Sequence, residues 1–283
     1  MALSWIQATL QQVTRLTEEA LRALRRARTP EAVDGALEAL PLDDARVREA
    51  LLEKYSALAP EASRRDPGCH LRTTLLRGLR GRAVADDGSL LEAALWTYEF
   101  IPPEEVAAGL RAVALLLLGE LDDQLASFHA VRLLGDRHTN RMSGEPAVTA
   151  ARLLAAQGQV LPLYQRMTMP LSHPEVAVEC LRGLGEAPQS VLGRLAQDLG
   201  PSGDGVLLIA LVDVLLDHTE ADRLAPALMG VVEECPDLDV VRYAAAAIVA
   251  KRRIAPIDQL RARAGLDGER GLLVRDALSL LPG

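Results

Sequence analysis

The chain has 283 residues, of which 49% are hydrophobic and only 3% are aromatic. This hydrophobic content excludes a disordered chain, and its dominance by Leu, Ala and Val favours an all-α protein over a β-rich one. The net charge of −8 argues against a protein whose whole surface binds nucleic acid, although residues 1–82 carry 14 basic and 11 acidic groups, a net charge of +3.

Capping and turn signals predict eight helices in the first half of the chain. Ser4 and Ser89 each begin a capping box, and Thr29 precedes a proline that suits the first helical position. The sequence PPEE at 102–105 is expected to end one helix and to place two carboxylates in the first turn of the next. The predicted helices are 4–28, 30–40, 43–59, 69–80, 88–101, 103–119, 122–134 and 145–157.

Eight further helices are predicted in the second half, where Ser172 begins a third capping box. No strand is expected anywhere, because no alternating apolar pattern with a hairpin turn occurs. No membrane span is expected, since the apolar run 112–119 is far shorter than the roughly 20 residues that cross a bilayer. The predicted helices are 159–169, 173–184, 188–199, 204–217, 220–234, 237–252, 255–264 and 268–281.

A repeated helix start recurs at a regular interval in the second half. The repeated position is apolar, and successive copies are 28, 32, 33 and 33 residues apart. It is occupied by Val148, Val176, Leu208, Val241 and Val274. A period of about 33 residues that holds two helices is typical of an α-solenoid, in which each helical hairpin covers its apolar stripe by stacking on its neighbours.

These repeats resemble HEAT repeats, whose second helix opens with Pro or Asp, followed by Val-Arg-x-Ala and a Leu-rich stripe. The likeness is good over 144–281 and patchy over 60–143, and Ala177 replaces the arginine in one copy. The matching residues are Pro174, Val176, Leu181, Leu184 and Gly185; Asp239, Val241, Arg242 and Ala244; Glu269, Val274, Arg275 and Ala277; and Asp44, Val47, Arg48 and Ala50.

The resemblance implies an all-α, right-handed α-α superhelix of about seven or eight helical hairpins. It would form a single solenoid, with irregular repeats over 1–134, a polar connecting loop at 135–146 and regular repeats over 147–283. A plain helical bundle is the alternative, but a bundle does not require a 33-residue period.

Two segments are candidates for binding a partner. Trp96 and Phe100 would form an i, i+4 aromatic pair on the helix 88–101, either exposed as a binding hot spot or buried between repeats. The polar loop 135–146 carries Arg137, His138 and Arg141, and it is either a recognition loop or a solvated linker.

Arginines near the N-terminus suggest a basic patch that could bind phosphates or an acidic partner. The alternative is an ordinary solvated face, because arginine is the usual surface cation of this chain. The patch would consist of Arg64, Arg65, Arg72, Arg77, Arg80 and Arg82.

No motif indicates an enzyme, a metal site or a cofactor. Cys69, Cys180 and Cys235 are widely spaced, which supports buried thiols in a cytoplasmic protein rather than a zinc site or a disulfide framework. No two histidines have the i, i+4 spacing of a helical metal site, and neither a nucleophile elbow nor a phosphate-binding loop occurs.

The sequence therefore favours a non-enzymatic scaffold that binds a protein partner on its curved surface. The alternative is a nucleic-acid-binding protein similar to the HEAT-like alkylpurine DNA glycosylases, which would use the basic N-terminal part. A weaker resemblance is to HEAT-type bilin lyase subunits. In neither family do the catalytic residues map onto this chain. The identity of the partner and the oligomeric state stay open.

Overall fold

Helices make up nearly all of the regular secondary structure in the computed structural model of the protein, which describes residues 2–41, 43–170, 173–200 and 204–281. The prediction of an all-α protein is confirmed, apart from one very short hairpin. Within these ranges no helix is both long enough and apolar enough to cross a bilayer. The chain divides into two units, Met1–Leu153 and Leu154–Gly283, and the segment 135–146 lies within the first.

The first unit contains helices of very different lengths and one β-hairpin. Its elements are α1 (Ala2–Arg26), α2 (Pro30–Glu38), α3 (Ala45–Leu58), α4 (Ala62–Arg65), α5 (His70–Gly78), α6 (Gly88–Leu95), β1 (Phe100–Ile101), β2 (Glu104–Glu105), α7 (Ala108–Leu121), α8 (Asp123–Leu134) and α9 (Ala147–Ala156), whose last three residues belong to the second unit. Short 3₁₀ turns occur at Ala59–Glu61 and Ala85–Asp87.

The second unit is more regular. Its helices are α10 (Val160–Met167), α11 (Pro174–Arg182), α12 (Gln189–Leu199), α13 (Gly205–Asp217), α14 (Ala225–Glu234), α15 (Leu238–Lys251), α16 (Ile254–Ala262) and α17 (Gly268–Leu278).

Polar residues cap several of the helix starts. The Thr29 hydroxyl accepts a hydrogen bond from the backbone N–H of Ala32, which confirms the predicted cap of α2. The capping boxes are not supported in the same way. Helix α1 already begins at Ala2, before Ser4, and α6 begins one residue before Ser89. The box expected at Ser172 begins outside the described residues.

The largest departure from the predicted helices lies at residues 96–107. Helix α6 ends at Leu95, and β1 and β2 form an antiparallel hairpin with Pro102 and Pro103 at its turn. The expectation of no strands is wrong here, as is the expectation that Glu104 and Glu105 open a helix. Prolines lack the backbone N–H and disfavour helical dihedrals in the preceding residue. The chain around Pro102 and Pro103 is therefore not helical.

Helix α7 is the centre of the first unit. It packs against α5, α6 and α8, while α2 and α3 pack against α5. Most of its apolar side chains are fully buried, including Leu110, Leu115 and Leu117. Burial of each such leucine stabilises the fold by about 1.5–3 kcal/mol, so α7 is a rigid support for whatever is attached to it.

The second unit is built from two rows of helices. Helices α11, α13, α15 and α17 pack side by side in that order, and α12, α14 and α16 form a second row that packs against the first. The repeated apolar positions, Val176, Leu208, Val241 and Val274, are all buried in the first row. The 32- and 33-residue spacing thus places equivalent core residues on alternate helices.

Candidate partner-binding surface

Large apolar side chains are exposed between α6 and α7. Trp96, the residue that follows α6, is 59% exposed, and Phe100 in β1 is 58% exposed. Because helix α6 ends before Trp96, the two residues are not an i, i+4 pair on one helix, and that prediction is wrong. The alternative interpretation, that both are buried between repeats, is also wrong. Exposed aromatic residues on an ordered segment are typical of binding sites.

A buried arginine holds this hairpin in place. The Arg111 side chain is 0% exposed and lies in the first turn of α7. Its guanidinium donates hydrogen bonds to the backbone carbonyl of Thr97 (2.9 Å), to Glu105 (2.9 Å) and to the backbone carbonyl of His138 (3.3 Å). Nε lies 3.3 Å from Asp136 Oδ2, close enough for an ion pair but outside hydrogen-bond geometry. One side chain therefore joins α7, the hairpin and the 135–146 segment.

Glu105 closes the base of the hairpin. While its Oε2 accepts the hydrogen bond from Arg111, its Oε1 accepts hydrogen bonds from the backbone N–H groups of Glu99 (3.1 Å) and Ala107 (2.8 Å). The carboxylate is almost fully buried and is satisfied by these donors. It therefore links the residues that flank the hairpin on its two sides, Glu99 and Ala107.

Tyr98 extends the same polar network toward α8. Its hydroxyl donates to Asp136 Oδ2 (3.2 Å) and accepts a hydrogen bond from Arg132 (3.1 Å), and its ring lies 4.1 Å below the Arg111 guanidinium. Arg132 also donates to the backbone carbonyl of Leu95 at 2.9 Å. These contacts fix the chain that leaves α6 against α8.

Trp96 contacts two side chains of α8 but stays largely exposed. The Arg132 guanidinium stacks on the indole at 3.9 Å, and the His129 ring meets it edge-on with 6.3 Å between ring centres. His129 in turn contacts Glu92 at 3.2 Å. The indole thus has a defined position although more than half of its surface faces solvent.

The 135–146 segment is a folded loop. Asp136 accepts a hydrogen bond from the backbone N–H of His138 (2.9 Å), and Asn140 Oδ1 accepts one each from those of Met142 (2.9 Å) and Ser143 (3.0 Å). The loop is therefore more ordered than a solvated linker.

The loop and the hairpin form the two walls of one groove. Phe100 and residues 103–105 line one wall, and residues 137–142 line the other, around a volume of about 340 Å³. We call this the hairpin–loop groove. The His138 ring meets Phe100 edge-on at 5.2 Å between ring centres. The two segments that the sequence suggests separately, around Phe100 and around His138, thus meet in a single place.

The loop wall carries exposed cations and an exposed methionine. Arg137 and Arg141 face solvent, and neither forms an ion pair within the part of the chain that the structure describes. Met142 is 91% exposed. Methionine adapts its shape to different partners, so this wall combines unneutralised positive charge with an adaptable apolar contact.

A second buried ionic cluster also lies beside the base of the hairpin. Arg72 bridges Asp66 (3.0 Å) and Glu99 (2.7 Å), and the Cys69 thiol contacts both Arg72 and Glu99. Burial raises the pKa of the Cys69 thiol to about 12, despite the nearby positive charge of Arg72. This cysteine is therefore a neutral thiol with low nucleophilicity.

The predicted basic patch is not a continuous cationic surface. Arg72 is only 4% exposed and fully engaged, so it has to be removed from the patch. Arg64 and Arg65 both pair with Glu61, and Arg80 pairs with Glu120. Of the six arginines in the predicted patch, two are left to describe.

Those two positions are Arg82 and Arg77. Arg82 donates to the backbone carbonyl of Gly78 (3.0 Å). Arg77 is exposed and lines a pocket of about 370 Å³ with His70 and Thr73. Because Arg64, Arg65 and Arg80 all form ion pairs with carboxylates, the patch offers little support for nucleic-acid binding.

Sequence reasoning missed the roles of the residues that organise the groove, namely Arg111, Glu105 and Asp136. One signal was present: Arg111 interrupts the apolar run of α7, and a charge in such a run has to be paired when it is buried. Its partners lie six residues before it and 25 residues after it, so the pairing itself depends on the tertiary fold.

Comparison of the chain with protein-family models, with curated proteins and with solved structures found no match.

Proposed function

We propose that this chain is a non-enzymatic helical-repeat protein of the HEAT type that binds a protein partner. The two rows of helices in the second unit, with equivalent core residues 32 or 33 positions apart, support the repeat architecture. Helical repeats of this kind offer extended surfaces for partners. The binding surface that we propose lies in the first unit, at the hairpin and the 135–146 loop.

The exposure of Trp96 and Phe100 on a rigid support is the observation that carries this proposal. An exposed aromatic side chain without a binding role does not require polar contacts that fix its position. Here Arg132 supports the indole, and Arg111 holds the segment that carries Phe100. Pre-organised aromatic side chains bind with a small loss of conformational entropy, and they dominate the binding energy of many interfaces.

The test is a partner capture with the double variant Trp96→Ala/Phe100→Ala. Immobilised wild-type and variant chains are exposed to the same cell extract, and bound proteins are quantified by mass spectrometry. We expect the specific partner to be depleted by about tenfold or more on the variant, because a hot-spot aromatic contributes roughly 2 kcal/mol or more.

Leu161→Ala/Ile254→Ala is the matched control. Both side chains are exposed and apolar but lie in the second unit, so this variant should capture the same partner as wild type. Circular dichroism verifies that both variants are folded. Equal capture by wild type and by the Trp96/Phe100 variant would remove this surface from consideration.

A further inference from the structure

We infer that the hairpin–loop groove binds an acidic peptide segment that carries a large apolar side chain. This inference rests on the proposed function and specifies the chemistry of the partner. It is drawn from the size of the groove, its apolar contacts, the charges that are left unneutralised on its walls and the rigidity of those walls.

The groove has the size and surface of a side-chain pocket. A volume of about 340 Å³ lies at the lower end of the range for ligand sites, roughly 300–1,000 Å³. Phe100 and Met142 present exposed apolar surface from opposite walls. One large apolar side chain, with the backbone on either side of it, fits such a space.

The charges around the groove favour an acidic ligand. Asp136 and Glu105 are buried on the same guanidinium of Arg111, which balances one of their two negative charges, and neither carboxylate is on the exposed surface of the groove. Arg137 and Arg141 stay exposed and without ion-pair partners among the described residues, and Glu104 is the exposed acid on the opposite wall. The exposed side chains of the groove are therefore net positive, with two cations against one anion.

This local excess contrasts with the unit around it. Residues 1–153 contain 19 basic and 22 acidic side chains, so a positive groove is not a simple result of the overall composition. Charge complementarity of this kind accelerates association and selects the partner more than it adds affinity.

A protein segment suits the groove better than a nucleic acid. Glu104 would lie against a phosphate backbone, and the exposed cations Arg64, Arg65 and Arg80 are already paired with carboxylates. A carboxylate on the loop side next to an apolar side chain avoids this repulsion. Nucleic-acid binding requires the neutralisation of many phosphates.

The walls need little reorganisation to accept a ligand. The Arg111 side chain contacts both walls, at Glu105 and at the carbonyl of His138, and Asn140 fixes the turn of the loop. An ordered site loses less conformational entropy on binding.

The experiment is a selection of random 12-residue peptides displayed on phage against the full chain, followed by fluorescence anisotropy with the enriched peptides. Phe100→Ser/Met142→Ser serves as the counter-selection target. We expect the enriched sequences to combine acidic residues with Phe, Leu, Trp or Met.

Three variants then test the chemistry of the groove. Arg137→Glu/Arg141→Glu should weaken the enriched peptide by about tenfold or more, and Phe100→Ser/Met142→Ser by a similar factor. Glu104→Gln should tighten it by roughly two- to fivefold, because it removes the opposing charge. Arg25→Glu/Arg26→Glu, at the end of α1, is the control and should stay within about twofold of wild type.

Several results would overturn the inference. They are the absence of enrichment, enrichment of basic peptides, and an enriched peptide whose affinity does not change in the Arg137/Arg141 variant. Binding of a fluorescein-labelled single-stranded DNA 20-mer that requires Arg137 and Arg141 would also overturn it, in favour of a nucleic acid.

Failure of the inference is distinguishable from failure of the proposed function. If no peptide is enriched but partner capture still requires Trp96 and Phe100, the ligand class is wrong and protein binding stands. If capture is also unchanged in that variant, the proposed function falls as well.

Discussion

A single residue, Arg111, connects the core of the first unit with its candidate binding surface. Arginine suits this position because its planar guanidinium has five donors in a fixed arrangement and stays charged under all ordinary conditions. Here those donors form hydrogen bonds with one carboxylate and two backbone carbonyls, the guanidinium forms an ion pair with a second carboxylate, and one of its faces stacks on Tyr98. A buried ion pair adds little net stability compared with a hydrophobic alternative, so we attribute its role to positioning.

Substitution of Arg111 by methionine should destabilise the protein strongly. It leaves Glu105 and Asp136 buried without their cation, and breaking such a buried pair typically costs about 3–5 kcal/mol. Urea unfolding followed by circular dichroism at neutral pH measures the effect. Arg80→Met breaks the exposed pair with Glu120 and should cost no more than about 1 kcal/mol. Similar losses for the two variants would contradict the role of Arg111.

Glu99 is a residue from which we expect a dependence of stability on pH. Burial by itself favours the neutral acid, but the hydrogen bond and the positive charge of Arg72 outweigh it and hold the pKa of Glu99 below its usual value of 4.5. A carboxylate whose pKa is lower in the folded state stabilises the fold above the unfolded-state pKa. That stabilisation is lost as the pH falls through the folded-state pKa.

Glu99→Gln should therefore lower the free energy of unfolding at neutral pH by roughly 1–3 kcal/mol. It should also reduce the loss of stability that wild type shows as the pH falls below the usual glutamate pKa of 4.5. Glu53→Gln, at an exposed position, should follow the wild-type curve. Parallel pH profiles for wild type and Glu99→Gln would show that Arg72 and Glu99 are not coupled in this way.

At the scale of elements, local signals mark helix starts but not all helix ends. Thr29, Asp44, Asp122 and Asp204 each accept a backbone N–H in the first turn of the helix that follows. No such local signal marks the end of α6, which stops at Leu95, five residues before the β1–β2 hairpin.

The cap of α13 offers a matched comparison. Asp204 accepts hydrogen bonds from the backbone N–H groups of Val206 and Leu207, whereas Asp267, at the same position before α17, accepts none. Asp204→Ala should cost about 1 kcal/mol, and Asp267→Ala about 0.5 kcal/mol or less. Thermal and urea denaturation of the two variants provide the check. An equal cost at both positions would show that the side-chain hydrogen bonds of Asp204 contribute nothing specific.

At the scale of the whole molecule, each unit buries its own core. In the second unit, α13 packs against α11, α12, α14 and α15, so that it is covered on several sides. Helix α17 packs against α15 and α16. Leu272 in this helix and Leu280, which follows it, are exposed. In a stack of repeats the stability of each helix depends on its nearest neighbours.

Amide hydrogen exchange should follow this difference in packing. We expect the amides in the middle of α13 to exchange more slowly than those in the middle of α17 by about tenfold or more, because α13 packs against four helices and α17 against two among the described residues. Exchange followed by mass spectrometry of peptides from each helix measures this directly. Equal protection in α13 and α17 would indicate that the unit opens as one cooperative block.

The sequence by itself determined the helical class, most of the helices and the regular positions of the core in the second unit. Helix propensity, caps and apolar periodicity act over a few residues, and the 33-residue period repeats one local pattern. The sequence also drew attention to Phe100 and to residues 137–141, although it placed Phe100 on a helix that ends before it.

Only the tertiary structure decided that these segments form one groove, that Arg72 is buried rather than part of a surface patch, and that Arg111 joins Glu105 to Asp136. Such facts depend on contacts between residues far apart in the chain, and no local propensity contains them. The same local sequence around a charged residue is compatible with a buried ion pair and with a solvated side chain. Only the packing of the helices removes water from it and so selects its partner.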